Sequence, residues 1–128
     1  MNDADSASEP GFNQQFRERT KEASLRVIRL YQQLPKSGEA QIIGKQLLRC
    51  ATSVAANFRA ACRGRSGAEW YAKLCICVEE ADEAQFWLEL LSDADIYPIA
   101  RLQPLAQEYL EIVSILATAR KRYKTQQQ

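Results

Sequence analysis

The side chains able to do chemistry in this sequence are 16 Asp+Glu, 17 Lys+Arg and four Cys, and there is no His. Without imidazole, the commonest general base and the commonest nitrogen ligand for metals are missing, and every Ser-His or Cys-His nucleophile pair is excluded. An enzyme built on this chain would work with carboxylates alone, so no catalytic residue is assigned. Cys50, Cys62, Cys75 and Cys77 do not form paired C-x-x-C steps, and a zinc knuckle would need two thiolates from a C-x-C step inside a helix. The expectation is reduced, buried thiols acting as small apolar side chains, with no metal and no cofactor.

The carboxylates have one suggestive arrangement: Glu79-Glu80-x-x-Glu83, followed by Glu108-x-x-Glu111. Acids at i and i+3 or i+4 on facing helices can hold a hard cation. The pattern resembles the magnesium sites of all-α nucleotide pyrophosphohydrolases, which supplies an alternative enzymatic reading. The last acid of that family's motif is Asp where this chain has Glu111, and no residue set for reading a nucleobase accompanies it. Di-iron chemistry of the ferritin-like kind is excluded, because it needs Glu-x-x-His.

The cations are more ordered. At about 100° per residue, Lys45, Arg49, Arg59 and Arg63 fall within an arc of roughly 80° on the side opposite the apolar Leu47/Val54/Phe58 seam. Arg65 follows at a turn, and no acid interrupts the stretch between Glu39 and Glu69. Two readings stand. The stripe is a solvated face or a set of partners for acids on the third helix; or it binds phosphates, since Arg forks match phosphate oxygens and clustered cations gain from counterion release. No aromatic residue interleaves the stripe, so nucleic-acid binding here would be directed at the backbone and weakly sequence-specific.

Between Glu69 and Asp95 the sign reverses, with eight acids against Lys73 alone. One side of that segment carries the core stripe Trp70, Leu74, Val78, Ala81 and Leu88. On the other side Ile76, Phe86, Trp87 and Leu90 interleave with Glu79, Glu80 and Glu83. A second apolar face marks a protein–protein contact, so a homo-oligomer is expected, with Asn57 making an inter-helix or subunit-interface hydrogen bond. The formal net charge of +1 is thus a cancellation between a basic and an acidic segment.

Four helices position these residues. The first runs from Phe12 to Leu34 and ends at Pro35; the second from about Glu39 to Arg63, with the seam Ile43, Leu47, Ala51, Val54, Phe58 and Ala61. Gly64-Arg65 breaks it. Ser66-Gly67-Ala68-Glu69 forms a capping box that opens the third, to about Asp93. The fourth is expected from Pro104, in its first turn, to about Lys124, ending on cations that suit the helix dipole. Short connections favour an all-α, antiparallel up-down four-helix bundle as the domain over 12–124, flanked by a disordered polar leader, 1–11, and a polar tail, 125–128. The leader is acidic where a secretory signal is basic and apolar. With no apolar run near the ~18 residues that cross a bilayer, the expected location is the cytoplasm, with no membrane partner.

The run Gln46-Leu47-Leu48-Arg49-Cys50-Ala51-Thr52-Ser53-Val54-Ala55-Ala56-Asn57-Phe58-Arg59-Ala60-Ala61, then Arg63-Gly64-Arg65-Ser66 and Glu69-Trp70, resembles the bacterial four helix bundle protein family of 23S ribosomal RNA intervening-sequence proteins. The stretch Glu79-Glu80-Ala81-Asp82-Glu83-Ala84-x-Phe86-Trp87-Leu88-Glu89-Leu90-Leu91 is similar to the Glu-rich third helix of one branch. Many members read Asn-Ile-Ala-Glu-Gly where this chain has Asn57-Phe58-Arg59-Ala60-Ala61, so a role tied to that Glu does not transfer. The resemblance implies an antiparallel bundle assembling as a ring, a homopentamer, with no established catalytic residues. The accessory variability proteins of retroelements look like fold relatives; they imply RNA or DNA backbone, and a nucleic-acid enzyme such as a reverse transcriptase, as partners.

Overall fold

The computed structural model describes residues 11–127. The expected leader lies outside them apart from Gly11. The chain is all-α: α1 spans Phe12–Gln33, α2 Gly38–Cys62, α3 Gly67–Asp93 and α4 Ile99–Gln126, and no strand occurs among the described residues. Among the described residues no helix is long and apolar enough to cross a membrane.

Three boundaries follow local chemistry. Leu34 turns to extended backbone (ψ 150°) because a residue before proline is pushed out of the helical region. Gly64 and Arg65 separate α2 from α3, and the Ser66 hydroxyl accepts from the Glu69 N–H at 3.2 Å. The Glu69 carboxylate reaches back one residue further than a standard capping box, to the Arg65 N–H.

The fourth boundary differs from the sequence expectation. α4 starts at Ile99 with Pro98 as its cap, and Pro104 sits inside the helix. Entry is set by Asp95, whose φ of 56° turns the chain, and by Pro98, whose carbonyl accepts from the Arg101 and Leu102 N–H groups. Pro104 comes so soon after this start that its missing N–H deprives one exposed carbonyl, and the ladder resumes behind it. At the other end the helix runs through Thr125 and Gln126, which were expected in the tail.

Helices adjacent in sequence are adjacent in space, and α1 closes more lightly on α4. Along the α1–α2 contact Phe16 meets Phe58, the Ser24 hydroxyl donates to the Ala51 carbonyl at 2.9 Å, and the Tyr31 hydroxyl donates to Gln41. The core combines Val27, Val54, Leu74, Leu88, Tyr109 and Ile112, all essentially inaccessible. Burying a side chain of this size stabilises by about 1.5–3 kcal/mol. At one end the core is aromatic: Phe58 sits 5.0 Å from Phe16 and 5.9 Å from Trp70, edge to face. Of the four thiols expected to be buried, Cys50 and Cys77 are, whereas Cys62 and Cys75 are half-buried.

Candidate functional site

The cations of α2 divide into two groups. Lys45, Arg59 and Arg63 are exposed on the outward face and Arg65 is exposed in the turn; among the described residues none of the four makes an ion pair. Arg49 is drawn off the stripe. Its guanidinium donates to Glu80 at 2.8 Å and to Glu83 at 2.6 Å across the α2–α3 interface. This is the partnership with α3 acids that the sequence left open, and it applies to Arg49 alone.

Glu83 also accepts from the Trp87 indole N–H at 2.9 Å and from the Cys50 thiol at 3.2 Å. These hydrogen bonds, that of Trp87 first, hold its carboxyl below the usual carboxylate range with help from Arg49. Burial, then Glu83, pushes the Cys50 thiol up to about 12. Ligand-type atoms of Cys50, Glu80 and Glu83 lie within 4.8 Å of one another. The cluster is satisfied internally, however: a protonated thiol is a poor ligand, and the Arg49 guanidinium already contacts both carboxylates.

The magnesium pattern is not assembled. Glu108 and Glu111 are gripped by Arg19 of α1, each at 2.8 Å, while Glu80 and Glu83 are gripped by Arg49 of α2. Among the described residues no metal-type cluster joins the two halves. Spacing along each helix was compatible with the motif, but α3 turns its acids toward α2 and α4 turns its own toward α1.

The residues expected at a subunit contact are partly outward. Ile76 is 38% and Phe86 52% exposed, Leu90 is half-buried, and the Phe86 and Trp87 rings meet at 5.0 Å. Ile42 of α2, 66% exposed, is a further bare apolar residue that periodicity did not single out. Of the two partners expected for Asn57, another helix or a second subunit, the first is not the one its amide takes: it donates within α2, to the Ser53 carbonyl at 2.9 Å and hydroxyl at 3.0 Å.

Sequence reading also missed what the turn after α2 meets. The end of α4 lies across it, and together they wall an open cavity of about 750 Å³ shared by Arg65, Arg122, Phe12, Trp70 and Tyr123. Gly67 makes this possible, since a Cβ there would stand 2.6 Å from the Tyr123 ring. A glycine next to a helix cap and a tyrosine near the chain's end are the only sequence traces of it.

With this geometry in place, comparison decides the lineage. The sequence profile of the 23S rRNA-intervening sequence proteins matches residues 13–118. The chain belongs to that family. A crystal structure of a protein of unknown function from the S23 ribosomal protein family, from Bacteroides thetaiotaomicron VPI-5482, is similar at a TM-score of 0.79 and 29% identity, over 85% of this chain and 97% of that one. No protein of curated function matches. The family match takes in α1 to α3 and most of α4 but stops at residue 118, before Arg122 and Tyr123 of the cavity.

Proposed function

We propose that this family member is a non-enzymatic, antiparallel up-down bundle that assembles with copies of itself, as a ring-like homopentamer, and binds the phosphate backbone of RNA or DNA through Lys45, Arg59, Arg63 and Arg65. One observation carries the reading: those four cations are exposed and, among the described residues, make no ion pair, in a chain whose net charge is only +1. Helix α3 holds seven acids from Glu69 to Asp93, yet it withdraws only Arg49 from the stripe. Unpaired clustered cations are the electrostatic footprint of a polyanion site. Arg49 leaves the set for the same reason. Assembly rests on Ile76, Phe86 and Leu90 with Ile42, apolar side chains at the surface that an isolated subunit would leave in water.

Titrating a mixed-sequence RNA against salt tests the binding. Affinity should fall steeply as salt rises, because bound phosphates release counterions, and the Arg59→Ala/Arg63→Ala variant should flatten that slope. No affinity at low salt, or an unchanged slope in the variant, overturns it and leaves a purely structural adaptor. Light scattering tests assembly, and a 14.5 kDa monomer would overturn that part.

A further inference from the structure

We infer that the cavity between the α2–α3 turn and the end of α4 receives one unpaired nucleotide, its base against the aromatic walls and its phosphate at Arg65 and Arg122. This rests on the nucleic-acid reading above and adds what that reading lacked, a place for a base.

Size, walls and charge agree. The space is about 750 Å³, inside the range of about 300–1,000 Å³ typical of small-ligand sites. Its aromatic walls come from three helices: Phe12 of α1, Trp70 of α3 and Tyr123 of α4. Phe12 stacks on Phe16 at 5.3 Å and is still 45% exposed. Tyr123 is fixed from two sides, seated on Gly67, where no side chain could fit beneath it, and 5.6 Å from the Tyr71 ring. Lys124 lies over that same Tyr71 at 5.1 Å. Preset rings of this kind are stacking platforms for a base of any identity.

The charge is one-sided. Arg65 and Arg122 line the cavity, and among the described residues no Asp or Glu does. The nearest acid of the turn, Glu69, is tied to the Arg65 backbone N–H, which leaves the Arg65 guanidinium to an outside anion. Apolar walls alone would suit any greasy ligand, and two arginines alone any anion. A nucleotide satisfies both, and a base can enter only when it is not paired in a duplex. The phosphate stripe on α2 has no such requirement, so the two parts make different demands on the same polymer.

That difference is the test. Fluorescence anisotropy would compare a labelled single-stranded oligonucleotide with the fully paired duplex of the same sequence at one fixed salt concentration, with adenosine monophosphate titrated separately by calorimetry. The single strand should bind tighter by at least about fivefold, the lower end of the contribution expected of a stacked base. Tyr123→Ala should abolish the preference and leave duplex affinity unchanged, and Tyr123→Phe should retain it. Because Tyr123→Ala loosens the end of α4, a second variant, Ser114→Leu/Thr118→Leu, narrows the cavity from exposed positions on its wall and should act alike. Equal affinity for strand and duplex in the parent overturns the inference, as does a preference that survives both variants. Weakened binding of strand and duplex by the same factor in Arg59→Ala/Arg63→Ala, with the ratio of the two affinities unchanged, supports the stripe and cavity as separate parts. If neither polymer binds but adenosine monophosphate does, in a manner that needs Tyr123, the backbone reading falls and a free nucleotide is the occupant.

Discussion

The Arg49 guanidinium of α2 stands 2.6 Å from the Glu83 carboxylate of α3. The same arginine reaches Glu80 at 2.8 Å, so one cation spans two acids a helical turn apart and ties the two middle helices together. The contact also decides which arginine of the stripe is withheld from a phosphate.

Arg49→Met should therefore act on stability and hardly on binding. The guanidinium is 50% exposed, and solvent weakens such a pair, but Glu80 is only 15% exposed and would lose its cation. A loss of ~1 kcal/mol is expected, read from urea unfolding. Affinity for RNA should stay within about twofold of the parent, in line with the salt-screened, additive nature of single phosphate contacts. A loss as large as that of Arg59→Ala/Arg63→Ala would return Arg49 to the binding set.

Acid should unfold the chain partly through Glu83. Its carboxyl is held below the ordinary value of 4.5 by Trp87, Cys50 and Arg49, so the folded state releases this proton more readily than the unfolded one. The resulting stability is present above pH ~4.5 and is lost as pH falls through the folded value. Glu83→Gln should be less stable at neutral pH and show a shallower decline below it. Parallel acid curves for parent and variant would disprove the assignment.

Two glycines should respond in opposite directions. A Cβ at Gly44 would stand 2.6 Å from Leu34 and 2.9 Å from Tyr31, and overpacking of this kind costs about 1–3 kcal/mol. Helix propensity returns at most ~1 kcal/mol, so Gly44→Ala should destabilise. At Gly38 nothing lies within 4 Å, and Gly38→Ala should stabilise by up to ~1 kcal/mol. Thermal unfolding of the two variants distinguishes them.

The thiols should separate by reactivity. Burial pushes both Cys50 and Cys77 up to about 12, leaving little thiolate at neutral pH, and a reagent reaches them only when the structure opens. Alkylation followed by mass spectrometry should find Cys75 modified well before Cys50 and Cys77, with the difference erased in urea. Because unfolding frees these two thiols to ionise from pH ~9 upward, stability should also fall as pH rises beyond it.

Much of this protein follows from neighbours in the chain. Val54 and Phe58 are four residues apart, and their burial follows from a helix turning 100° per residue. Ser66 and Glu69 meet because a cap closes within one turn. The start of α4 was misplaced because Pro98 and Pro104 are both acceptable near a helix start, and the positive φ at Asp95 that chooses between them has no clear mark in the sequence.

Residues within one or two turns of each other fix the four helices, their apolar seams and the opposed charges of α2 and α3. Tertiary packing decided the rest: that Arg49, but not Arg59 or Arg63, finds acids; that Glu83 and Glu108 face different helices; and that Phe12, Gly67 and Tyr123 share one cavity. Such contacts join residues far apart in the chain. They depend on how each helix is rotated about its own axis when the core closes, and a helix's own periodicity leaves that rotation relative to its neighbours unspecified.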